Sequence, residues 1–225
     1  MTALFVTATG TDIGKTFVTC GLISHLRQQG RAVDAIKPVV TGFDPTAAAV
    51  DASDPALLLA ALGRPRTNIP KISPWCFKAP LAPDLAASRE GRTLDFAALV
   101  DFSRAAMAVA KDVLLIEGIG GIMVPLDARY TVLDWMTALR LRLILVAGSY
   151  LGTISHTLSA VDVLMRRNLT IAAIVVSESI GSPVPLDDTA ASIARFAAPI
   201  PVYALPRLIP DNAEHTVFAR LGELV

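Results

Sequence analysis

Leu4-Phe5-Val6-Thr7, then Ala8, then Thr9-Gly10-Thr11-Asp12-Ile13-Gly14-Lys15-Thr16: this opening stretch decides the fold. The first four residues are continuously apolar or β-branched, the signature of a strand buried on both faces. The small-residue segment that follows leads into Lys15 to Gln29, whose pattern is helical and is stopped by Gly30. Strand, small-residue loop and helix in that order make a cradle for phosphate. Backbone N–H groups and the helix N-terminus surround the anion, and Gly14 permits close approach. Lys15 brings a point charge, and the Thr16 hydroxyl can bind Mg²⁺. The strict G-x-x-x-x-G-K-T pattern is broken by Thr9 at its first position, so the placement between strand and helix carries the reading.

Outward from this loop the chain alternates. Val33 to Lys37 reads as a strand ended by Pro38, and residues 38–53 as a loop. Asp54 to Leu62 reads as a helix with Pro55 in its first turn. Arg64 to Pro83 is proline-rich and reads as an irregular excursion suited to a substrate loop. Helices are then expected near Asp95 to Lys111, Val132 to Leu139, Thr153 to Arg167 and Asp188 to Phe196, with one more at the C-terminus. They alternate with strands at Val113 to Ile116, Leu143 to Val146, Ile171 to Val176 and Val202 to Leu205. Continuous apolar strands alternating with helices predict an α/β fold with a mostly parallel central sheet. Helices would cover both faces, and ligands would bind beyond the carboxyl ends of the strands.

The chain has 225 residues, 53% of them apolar, which suits one α/β domain over residues 1–225 with a substantial core. Twenty basic and twenty acidic residues balance to zero formal charge, leaving no field to hold nucleic acid or an anionic membrane. A small-molecule partner is expected instead. Cys20 and Cys76 have no metal-ligand spacing, no secretory leader is read, and no apolar run approaches the ~20 residues of a membrane span. A cytoplasmic protein with reduced thiols is expected. His25, His156 and His215 are scattered and are given no chemistry, and Trp75 and Trp135 are read as packing residues.

Two further segments carry chemistry. Lys37-Pro38-Val39-Val40-Thr41-Gly42 lies at the carboxyl end of the second strand, where Lys37 can neutralise an anion and Thr41 can hydrogen-bond a polar substrate. Asp54 and Glu117 are candidate Mg²⁺ ligands. Asp54 begins a helix, and Glu117 ends the Val113-Leu114-Leu115-Ile116 strand just before Gly118-Ile119-Gly120-Gly121. Read alone, Lys37 could be a solvated strand end and Asp54 a helix cap.

Taken in order, these segments resemble the dethiobiotin synthetase family over nearly the whole chain. The resemblance implies a P-loop NTPase-like ligase that joins carbon dioxide to 7,8-diaminononanoate at the expense of ATP. A carbamate and a mixed carbamic-phosphoric anhydride would lie on the way to the cyclic urea. It puts the active-site lysines on Lys37 and Lys15, with Thr11 beside them, and substrate contacts on Thr41 and Pro80. Leu151-Gly152-Thr153 would receive the substrate carboxylate across a homodimer interface. Mg²⁺ would sit on Thr16, Asp54 and Glu117. ATP contacts are implied at Asp12, Ile13, Gly14, Lys15, Thr16 and Phe17, and at Asp54, Glu117, Gly118, Ile119 and Gly120. Ser177, Glu178, Pro206, Arg207, Leu208 and Asp211 would face adenine and ribose. Ala8, Gly10 and Ser177 stand where that family usually has glycine, aspartate and asparagine, and Asp84 where it often has histidine. The alternative is a MinD- or ParA-like ATPase switch, whose signature lysine early in the loop has no counterpart in Thr9-Gly10-Thr11.

Overall fold

The computed structural model describes residues 1–46, 48–207 and 215–225. The strands are β1 (Thr2–Ala8), β2 (Val33–Ile36), β3 (Val39–Thr41), β4 (Trp75–Phe77), β5 (Val113–Glu117), β6 (Arg142–Gly148), β7 (Ile171–Ser177) and β8 (Val202–Leu205). The helices are α1 (Lys15–Gln28), α2 (Asp54–Ala61), α3 (Ile69–Ile72), α4 (Pro83–Arg89) and α5 (Phe96–Val109). They continue with α6 (Val132–Leu139), α7 (Thr153–Arg166), α8 (Leu186–Ala197) and α9 (Thr216–Gly222).

Six strands form one sheet in the order β2-β5-β1-β6-β7-β8, and every pairing in it is parallel. All five residues of β5, and Leu143 to Gly148 of β6, are buried, which requires helices on both faces of the sheet. Against this sheet α1 packs beside α2 and α9, α5 pairs with α6, and α7 with α8. At the centre, the Phe5 ring meets Trp135 edge-on at 4.8 Å, and the Trp135 indole donates to Ser103 Oγ at 3.1 Å. Both tryptophans pack, as their sequence context suggests, Trp75 meeting Phe102 edge-on at 5.7 Å.

Strand order places the site. From β1 the chain moves to β2 and β5 on one side, then crosses to β6, β7 and β8 on the other, so the order reverses at β1. Ligands of open α/β sheets bind in the crevice outside the strand ends at such a point, and here the Thr9–Gly14 turn lies there.

Two sequence expectations need correction. The segment read as a loop over residues 38–53 contains β3 and a 3₁₀ turn at Ala48–Ala52, and the excursion from Arg64 to Pro83 contains α3 and β4. The strands β3 and β4 are only three residues each and pair in parallel with each other, Val39 with Trp75 and Thr41 with Phe77. Such short runs give no periodic signal, and their register exists only through a partner distant in sequence. Helix α4 was also unexpected. It begins at Pro83, the last residue of that excursion.

Candidate active site

The phosphate cradle is made by backbone conformation. Asp12 (φ 56°) and Gly14 (φ 97°) are both left-handed, and they turn the chain so that α1 starts on an uncapped N-terminus. No side chain caps that end and its first turn holds no acid, so its orphan N–H groups remain available to an anion. A Cβ on Gly14 would lie 2.7 Å from Ser177 Oγ, so glycine also allows the end of β7 to approach the loop.

Lys15 is buried and donates from Nζ to the Gly10 carbonyl at 3.2 Å. Burial, followed by the neighbouring Lys37 charge, pushes its ammonium down to about 8. Lys37, 2% exposed, extends from the end of β2. Its Nζ donates to Glu117 Oε1 at 2.7 Å and to the Gly118 carbonyl at 3.2 Å, and lies 3.0 Å from Asp54 Oδ2. Burial works against the Lys37 charge, but Glu117 and Asp54 hold it above the ordinary lysine value. Burial likewise opposes the charged Asp54, yet Lys37 keeps its carboxyl below the usual range.

Thr16 donates from Oγ1 to Glu117 Oε1 at 2.7 Å, and among the described residues Glu117 Oε2 is buried without a hydrogen-bond partner. A buried carboxylate oxygen without a donor is costly, and a cation would satisfy it. Cys20, one turn along α1 from Thr16, has its thiol pushed up to about 12, by burial first and then by Glu117, so it stays protonated.

Two cavities open along this line. The first, about 340 Å³, is lined by Thr11, Asp12, Gly14, Lys15, Thr16, Lys37, Val40, Thr41, Asp54, Ile119 and Gly120. The second, about 440 Å³, continues past Asp12 and Gly14 to Ile13, Phe17, Ser177, Glu178, Ser179, Ile180, Pro206 and Arg207. Most of the phosphate-side and base-side residues singled out in the sequence are therefore brought together along one line, with the buried Glu117 bonded to Lys37 behind the wall. Pro80 lies beside the Thr41 turn, where a Cβ on Gly42 would meet it at 3.2 Å. Leu208 and Asp211 lie outside the described residues.

Leu151, Gly152 and Thr153 line neither cavity. Leu151 is exposed, while Thr153 is buried with its hydroxyl donating to the Gly148 carbonyl at 2.7 Å. Gly152, at φ 97°, starts α7 without a side-chain cap. The Thr153 side chain therefore anchors the helix start, which leaves Leu151 and the backbone as what this segment presents outward.

Two serines beside the site, Ser149 and Ser179, are not singled out by the sequence. Ser149 and Ser179 each accept the other's backbone N–H, at 3.0 and 2.9 Å, and so lock the ends of β6 and β7 together. Glu178 accepts the Arg207 N–H at 2.8 Å, tying β7 to the turn after β8. Only the positions just past two strand ends could have drawn attention to this serine pair.

A six-stranded parallel sheet with a phosphate turn after its first strand, and with lysines and carboxylates converging at the strand ends, defines a P-loop nucleotide-binding α/β protein. Residues 2–212 match a family described as AAA domain. The chain is 50% identical over 209 residues to an ATP-dependent dethiobiotin synthetase BioD of Caulobacter vibrioides, covering 92% of this chain and 93% of that one. It is 45% identical over 208 residues to the protein of that name from Acidiphilium cryptum, covering 90% and 92%. The chain belongs to the ATP-dependent dethiobiotin synthetase family. Among solved structures, the MinC:MinD cell division protein complex of Aquifex aeolicus matches with a TM-score of 0.55 and 11% identity. That match spans 99% of this chain and 86% of that one and is a likeness of fold alone. Among the described residues, no helix is long and apolar enough to cross a membrane.

Proposed function

We propose that this ATP-dependent ligase, working as one unit over its whole length in the cytoplasm, uses MgATP to close the cyclic urea of dethiobiotin on 7,8-diaminononanoate with carbon dioxide. The observation that carries the residue-level reading is Lys37. Its buried ammonium lies between Asp54 and Glu117, in a cavity that also takes in Lys15 and the start of α1.

The α1 N-terminus and Lys15 hold the phosphates. Thr41, which lines the same cavity, and Pro80, packed behind it at Gly42, are the substrate-side residues. Lys37 neutralises the anion that forms when carbon dioxide joins an amine, and it keeps that anion in line with the terminal phosphate. No enzyme nucleophile is required, because positioning and charge neutralisation lower the barrier. The base and ribose extend into the cavity bounded by Phe17, Ser177, Glu178, Pro206 and Arg207.

Thr16, Asp54 and Glu117 would hold Mg²⁺. The partnerless Glu117 Oε2 and the all-oxygen donor set suit a hard cation that takes one or two carboxylates and completes its shell with water and phosphate. Bound there, the metal would supply charge neutralisation of the phosphate oxygens. The exposed Leu151 and the uncapped start of α7 support a homodimer in which this segment meets the substrate carboxylate of the neighbouring subunit.

The test is coupling. ADP release by the purified protein is expected to depend on both the diamine and bicarbonate, and hydrolysis that ignores the diamine would refute the ligase reading. Size-exclusion chromatography with light scattering should give a dimer, and a monomer would remove the role assigned to Leu151 and Gly152.

A further inference from the structure

The Lys37 ammonium occupies the charge position that a divalent cation would take. It contacts Glu117 Oε1 at 2.7 Å and Asp54 Oδ2 at 3.0 Å, the two carboxylates assigned to the metal, and it is 2% exposed. We infer that Lys37 is a selectivity element, the resident counter-ion of the acid pair, which keeps free divalent metal out and yields only to metal arriving on a nucleotide. The inference rests on the metal set proposed above.

Lys15 and Lys37 line the same cavity as Asp54, and their two charges balance those of Asp54 and Glu117. A free divalent cation entering this balanced cluster meets two ammoniums at short range and must displace one from a buried ion pair. The same cation carried on a triphosphate brings excess negative charge, which both lysines can follow. Lys37 then leaves the carboxylates for the phosphate and substrate side of the cavity, where Thr41 and Ile119 stand. The lysine is delivered to the reacting atoms by the event that completes the site, and the metal does not collect there without its nucleotide. Glu117 Oε2, buried and without a donor, is the oxygen that the ammonium fails to satisfy and that the arriving metal takes up.

The experiment uses Mn²⁺ as the metal probe, followed by electron paramagnetic resonance on the full chain, without nucleotide and with ADP. Wild type should bind Mn²⁺ alone weakly, and Lys37→Gln should bind it at least about tenfold more tightly. With ADP present that difference should shrink. Equal affinity of the two proteins for Mn²⁺ alone would overturn the inference while leaving the metal set standing. Failure of wild type to bind Mn²⁺ even with ADP would refute the metal set, and the inference with it.

Because Lys37→Gln leaves two carboxylates facing each other and can fail to fold, a second measurement uses wild type alone. The hydrogen-bonded Lys37 ammonium should give a protected side-chain nitrogen resonance. That resonance should be insensitive to Mg²⁺ alone and shift or vanish with Mg²⁺ and a non-hydrolysable ATP analogue. A resonance unchanged at saturating analogue, or one lost with Mg²⁺ alone, would contradict the exchange.

Discussion

At the phosphate end of the crevice, Lys15, Lys37 and Glu117 are buried, and the side chains of Lys37, Glu117, Thr16 and Asp54 are joined by ion pairs and hydrogen bonds, with Lys15 held beside them on the Gly10 carbonyl. At the base end, the cavity past Phe17 is bounded by Ser177, Glu178, Ser179, Pro206 and Arg207. There Glu178 and Ser179 spend hydrogen bonds on holding loops together. One end places charge where water is excluded, so each group acts strongly on its neighbours. The other presents a shaped wall with the Ser177 hydroxyl, which can donate or accept as the base requires. On the function proposed above, catalytic demand falls on the first end and nucleotide fit on the second.

The largest expected effect breaks the phosphate end. Lys37→Gln should lower kcat by about 10²-fold to 10³-fold, the scale of losing a charge aimed at a developing anion, while ADP affinity measured by calorimetry stays within about threefold. Comparable loss of both would place Lys37 in nucleotide binding instead.

The second expectation concerns pH. Lys15 is lowered from 10.5 to about 8, by burial first and then by Lys37. Between these values the unfolded chain holds this proton more firmly than the native protein. On its account, stability without nucleotide rises as pH climbs from about 8 toward 10.5, and the native state carries the cost of the charge below that window. Phosphate binding needs the charged form, so nucleotide affinity should fall above pH 8, by up to about tenfold per pH unit. Calorimetric titrations and denaturant melts over the same pH range should therefore move in opposite directions, and Lys15→Met should flatten both.

A third test joins the two ends through Gly14. Gly14→Ala places a side chain at φ 97° and 2.7 Å from Ser177 Oγ, and should cost about 1–2 kcal/mol in denaturant unfolding. Adding Ser177→Gly should relieve the clash but not the backbone strain. Smallest of all, Ser177→Ala should raise the KM for ATP by less than about fivefold and leave kcat unchanged. A larger kcat effect would mean that the base end takes part in catalysis.

The same contrast explains what could be read from the sequence. The alternation that places β1, β5, β6 and β7 is written in uninterrupted apolar runs such as Val113-Leu114-Leu115-Ile116, and Gly14-Lys15-Thr16 follows the first of them. Lys37, Thr41, Asp54 and Glu117 each stand at or near the end of an element, which is where an α/β sheet keeps its chemistry. Val39–Thr41 and Trp75–Phe77 were missed because a three-residue strand has no period and its partner lies far along the chain. The pairing of Ser149 with Ser179, and the hold of Glu178 on Arg207, depend on which strand ends meet in space, and no local pattern records that. Nor could spacing show that the Thr153 hydroxyl is spent on the Gly148 carbonyl.

The most direct test of the central claim follows the carbon. Purified protein given MgATP, isotopically labelled bicarbonate and 7,8-diaminononanoate should form dethiobiotin with the label in its ureido carbon, one ADP and one phosphate per ring closed, and the Lys37→Gln protein should form almost none. ATP turnover without labelled product, or full product formation by Lys37→Gln, would contradict the account.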